Sequence, residues 1–85
     1  SRMVEHRTLD IATIYTGMRD WPMVSPLITQ YDIRYIVVGN EERSRFAGID
    51  ESFAIAEANG HLERAFEYDD LVIYRVVSTA TPPED

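Results

Sequence analysis

Tyr35-Ile-Val-Val-Gly-Asn-Glu-Glu-Arg43 is the stretch on which the fold turns. The unbroken β-branched and aromatic run from Tyr35 to Val38 reads as a central strand covered on both faces, and Gly39 ends it abruptly. A short polar helix then starts at Asn40. A helix opening just past the carboxyl end of a buried strand is where open α/β sheets place anionic ligands, because free N–H groups and the helix dipole meet there. This stretch lacks the chemistry for one. It has a single glycine where a phosphate cradle needs several, and no Lys-Ser/Thr follows. Glu41 and Glu42 occupy the first turn, where they satisfy the dipole themselves and would repel a phosphate. The turn reads as structural.

On the N-terminal side, Leu9, Ile11, Ala12, Ile14 and Tyr15 fit the one-sided stripe of a helix over Glu5 to Tyr15, with Gly17 as its C-cap. Asp20 is the N-cap candidate of a second helix running to about Gln30. Pro22 falls in its first turn, where a missing N–H costs nothing, whereas Pro26 predicts a kink or restart. On the C-terminal side, Gly48 and Asp50-Glu51-Ser52 mark the start of a further helix that Asn59-Gly60 stops. Leu62 to Tyr68 and Leu71 to Val77 then form a hairpin about Asp69-Asp70. The order helix, helix, strand, helix, strand, strand predicts an α/β or α+β fold. It consists of a small three-stranded mixed sheet with a C-terminal hairpin and helices packed on it. The segment from Tyr35 to Tyr68 is long enough for a strand-helix-strand crossover, which would set the first strand parallel to one member of the hairpin. Residues 1–77 form one compact domain, and Ser78 to Asp85, with Pro82-Pro83, reads as a flexible tail.

Composition narrows the function. Eighty-five residues make one core and no second domain. With 45% hydrophobic residues and nine aromatics the chain is a folded globule despite a net charge of −7. Its basic residues are eight arginines, mostly flanked by acids, which argues against nucleic acid and against an anionic membrane surface. Without cysteine there is neither a disulfide nor thiolate chemistry. No run of about 18 apolar residues and no signal-peptide pattern occurs, so the chain as given is expected neither to span a membrane nor to carry its own export signal.

Candidate sites reduce to few. Glu57 and His61 have i, i+4 spacing with Glu63 nearby, but Asn59-Gly60 breaks the helix that would align them, and no metal or cofactor is expected. The carboxylate pairs Glu41-Glu42, Asp50-Glu51 and Asp69-Asp70 sit at helix starts or in a turn, where backbone chemistry accounts for them. General acid-base work needs a desolvated cleft instead. Ser25, Ser44, Ser52 and Ser78 lack a nucleophile-elbow context. No catalytic residue is expected. The aromatics Tyr15, Trp21, Tyr31, Tyr35, Tyr68 and Tyr74 are core candidates. Trp21, Tyr15 and Tyr68 are also the candidates for an aromatic binding surface, which would make the chain a stand-alone glycan or cationic-ligand binding module. Arg34, Arg43, Arg45, Arg64 and Arg75 read as surface ion-pair partners of the abundant acids.

Together, Ile14-Tyr15-Thr16-Gly17, then Leu27-Ile-Thr-Gln-Tyr31-Asp-Ile-Arg-Tyr35-Ile-Val-Val-Gly39-Asn-Glu-Glu42-Arg43, then Leu71-Val-Ile-Tyr74-Arg-Val76 form a pattern. It resembles the C-terminal segment of the Chlor_Arch_YYY family, a domain of unknown function in multi-pass bacterial and archaeal membrane proteins. The likeness runs from about Leu9 to Val77. It implies a parent protein similar to polytopic glycosyltransferases that use lipid-linked sugars. In that reading this chain is the parent's soluble, extracytoplasmic terminal domain, anchored through a membrane part that also carries the chemistry. The membrane-embedded part of the same polypeptide is then its partner. Tyr31, Tyr35, Gly39, Glu42 and Arg43 match the motif residue by residue, but the resemblance gives them no role. Their physical assignment is Tyr35 to the core, Gly39 to a turn of positive φ, and Glu42 with Arg43 to a helix start facing the membrane part.

Overall fold

The computed structural model describes the backbone of residues 2–77 and the side chains of residues 8–77. The order of elements is α1 (Arg2–Thr16), α2 (Trp21–Gln30), β1 (Tyr35–Val38), α3 (Asn40–Arg45), α4 (Ile49–Ala58), β2 (Leu62–Tyr68) and β3 (Leu71–Val76). The expected α/β class, the three strands, the C-terminal hairpin and the packed helices are all present. The tail assigned to residues 78–85 lies outside the described residues.

Local chemistry explains where the elements begin and end. Pro22 sits in the first turn of α2, as expected. Pro26 does not restart the helix, which runs unbroken through it. In a helix of ten residues the bond lost at Pro26 would have gone to Pro22 in the first turn, so little of the ladder is sacrificed. Gly48 enters α4 with φ of +74°, and Gly60 leaves it at +83°; both values lie in the left-handed region that suits glycine. The hairpin turns on Asp69, whose φ of +51° is within what a short polar side chain tolerates.

The sheet order is β1-β3-β2 and both ladders are antiparallel. The sheet is therefore not mixed. β1 and β2 run in the same direction, as the crossover requires, but β3 returns between them and takes both sets of hydrogen bonds. Sequence length allows the crossover without fixing which hairpin strand pairs with β1. Tyr35 to Val38 face Arg75 to Val72, and β2 carries an irregularity between Arg64 and Phe66 that admits Ala65 as an extra residue.

All the helices that contribute to the core pack on one side of this sheet. Ile14 and Met18, Trp21, Val24 and Ile28 of α2, and Ile49, Phe53 and Ala56 of α4 meet Ile36, Val38, Leu62, Val72 and Tyr74 of the strands. The α2 positions are spaced i, i+3, i+7, and those of α4 i, i+4, i+7, which puts each set on one helix face. Phe53 is fully buried at the centre, with its ring 5.1 Å from Tyr74 and 6.0 Å from Tyr15.

β1 is not covered on both faces. Ile36 and Val38 are buried, while Tyr35 and Val37 face out, so Tyr35 lies on the surface and not in the core. An apolar run shows that both sides of a strand avoid charge. It does not show that the same chain supplies both covers.

Candidate functional site

The Tyr31 to Arg43 motif folds into a structural joint. Tyr31 donates its phenol to the Asp10 carboxylate, which ties the end of α2 to α1. Gly39 has φ of −123° and ψ of −172°, an extended conformation, so positive φ is not its reason. Its N–H donates to the Glu42 carboxylate at 2.8 Å, and a Cβ at position 39 would lie 3.2 Å from that oxygen. Glycine there leaves room for the cap. Arg43 donates to both Asp50 oxygens at 3.0 Å, to Asn40 at 3.3 Å and to the Asp70 carbonyl. One guanidinium therefore joins α3, the start of α4 and the hairpin turn. A second tether, from Asn40 to Asp70, spans 3.2 Å. Glu42 and Arg43 do belong to a helix start, and their bonds are spent within the domain.

The other candidates disperse. Glu57 pairs with Arg64 at 3.2 Å, while His61 stacks on Trp21 with ring centres 4.4 Å apart, so the two do not converge. Among the described residues no three His, Cys, Asp or Glu side chains gather closely enough to hold a metal ion. Asp50 and Glu41 pair with Arg43 and Arg45, Glu63 with Arg75, and Asp32 with Arg34, mostly at the surface. The aromatic candidates occupy three separate surroundings. Trp21 is only 8% exposed, and its indole N–H is buried without a hydrogen-bond partner. Tyr15 stacks on Phe46 at 5.0 Å and donates its hydroxyl to the Val37 carbonyl at 2.6 Å. Burial first, and the Glu42 charge second, raise its pKa above the usual tyrosine value. Tyr68 alone stands clear in solvent, at the hairpin end of β2.

What the sequence did not single out is the outer face of the sheet. The register places Tyr35 and Val37 of β1, Ile73, Leu71 and Arg75 of β3, and Glu63, Phe66 and Tyr68 of β2 on one side. Tyr35 is 58% exposed, Phe66 51%, Tyr68 69% and Val37 42%. In a chain with fifteen acids, the only charges among these eight positions are Glu63 and Arg75, which neutralise each other at 2.6 Å. The surface is apolar and close to neutral, on a molecule that is otherwise strongly acidic. Beside it, Ile11, Ile14, Tyr15, Ile33, Tyr35, Ile36 and Val37 line an open apolar groove of about 270 Å³ between α1 and β1. Tyr15 closes part of the free β1 edge there by taking the Val37 carbonyl, which limits strand addition at that edge. The signal that could have revealed the face is the lack of alternation in β3, where apolar residues occupy both parities from Leu71 to Ile73 although the chain has helices enough for one layer only.

Among the described residues, the fold and this surface define a small α/β domain with one bare sheet face. The chain matches none of the protein-family models, curated proteins or solved structures with which it was compared. None of the described helices is long and apolar enough to cross a membrane.

Proposed function

We propose that this chain is a non-catalytic soluble accessory domain of a multi-pass membrane protein resembling the glycosyltransferases that use lipid-linked sugars, and that it works by contact through the outer face of its sheet. The observation that carries the contact role is that face: three half-exposed aromatics with Val37, Leu71 and Ile73, and one internal ion pair at its end. Contiguous apolar patches of this kind mark interaction surfaces on soluble domains. The membrane assignment rests on the resemblance of the Tyr31 to Arg43 motif. In this reading the membrane-embedded part of the same polypeptide performs the chemistry, on the extracytoplasmic side, and the domain supports it. The arginine pairing of the surface carboxylates is consistent with a domain that does not perform acid-base chemistry itself.

The test is deletion of these 85 residues from the longer polypeptide. Loss of its activity with the membrane part still inserted agrees with the proposal. Full activity after deletion overturns it.

A further inference from the structure

We infer that the partner on the bare sheet face is a second copy of this chain, the two sheets packing face to face about a two-fold axis. The inference rests on the reading of that face as an interface and names its occupant.

Charge decides between a copy and a uniformly apolar surface. Glu63 and Arg75 stand directly opposite each other on neighbouring strands, near the end of the face where β2 begins. Covering them with a purely apolar surface would strip water from both ions without a new partner, a cost their mutual attraction does not reliably offset. A two-fold axis running along the strands between β2 and β3 removes that difficulty. It exchanges the two strands, so Arg75 comes to lie over Glu63 of the second copy, and Glu63 over its Arg75. The same rotation sets Phe66 over Ile73 and Tyr68 over Leu71, because those residues are also cross-strand partners. Each pair on the face is thereby complementary to its own image, which is what a two-fold interface demands. Tyr35 and Val37 form the rim on the β1 side.

The area is that of a weak contact. With the axis between β2 and β3, only those two strands of each copy overlap: about 4.8 Å apart and about six residues long at about 3.3 Å per residue, they cover about 190 Å² in projection, and side-chain relief roughly doubles that per copy. Two copies then bury about 760 Å², in the range of weak, transient contacts. The expected dissociation constant is on the order of hundreds of micromolar. Tethering to one membrane raises the effective concentration of such a weak contact and makes it effective.

The experiment is sedimentation of the 85-residue chain over a series from about 1 to about 500 μM, together with Glu63→Arg, Arg75→Glu and Phe66→Glu, each first checked for native circular dichroism. The wild-type mass is expected to rise from 9.8 kDa towards twice that value. Each variant alone is expected to remain single. An equal mixture of Glu63→Arg with Arg75→Glu is expected to pair again, since one chain then offers two cations and the other two anions. A wild-type chain that stays single throughout, or variants that pair as it does, overturns the inference. If the wild type stays single but Phe66→Glu in the longer polypeptide lowers its activity, the face is an interface for another partner and only the second copy is excluded. If neither is affected, the interface reading falls as well.

Discussion

Neighbouring residues of β3 lead opposite lives. Val72 and Tyr74 point into the core, while Leu71, Ile73 and Arg75 point away from every helix. The two faces have similar apolar content. They differ in what covers them, since the inner face meets α1, α2 and α4 and the outer face meets no helix of the core. Hydrophobic composition therefore records that a surface is meant to leave water, and only the count of available layers tells whether the same chain covers it.

That contrast can be broken most forcefully from the inside. Phe53→Ala removes a fully buried ring in contact with Tyr15 and Tyr74, and should cost about 3–5 kcal/mol. In a domain this small such a loss approaches total stability, so denaturant titration should find the variant mostly unfolded. Arg43→Ala cuts the joint between α3, α4 and the hairpin turn. Its side chain is about one-quarter exposed, so screening trims the effect to about 1–2 kcal/mol, read as a lowered urea midpoint at unchanged slope.

Tyr15→Phe leaves the ring stack and removes the bond to Val37, at a cost of about 1 kcal/mol. It also alters the pH profile. Burial holds the Tyr15 and Tyr74 phenols above the ordinary value of 10.0, so the unfolded chain ionises first as pH rises. Folding stability is then full below about pH 10 and falls above it. Tyr15→Phe should make that alkaline fall shallower. Smallest of all, Tyr35→Ser on the outer face should shift stability by no more than about 0.5 kcal/mol when the chain is dilute. A loss comparable to that of Arg43→Ala would mean that Tyr35 belongs to the core after all.

Much of this architecture was legible in the sequence because its signals are local. Pro22, Gly48, Asn59-Gly60 and Asp69-Asp70 punctuate the chain where the elements change, and each acts through its own backbone preferences. Sheet order was not legible, because β1 can reach either strand of a hairpin whose two members are separated only by Asp69-Asp70, and nothing local says which of them it pairs with. A glycine after a strand invites a positive φ, but the actual constraint on Gly39 is the carboxylate of Glu42, three residues on, folded back onto its N–H as in a capping box. The β propensity of its run points Tyr35 to the core, but propensity and burial go together only when a second layer exists. Trp21, Tyr15 and Tyr68 share only their residue type, and the fold distributes them among core, groove and open face.

The most direct test of the two-faced sheet is thermal unfolding of Val72→Asp beside Ile73→Asp, adjacent residues of one strand, at low chain concentration. An aspartate at 72 would be buried unpaired among Val38 and the core, whereas one at 73 would enter the outer face. The account predicts that Val72→Asp shows no cooperative transition, while Ile73→Asp melts within a few degrees of the unaltered chain. Equal loss of folding in both variants would contradict it, because the outer face would then be part of the core.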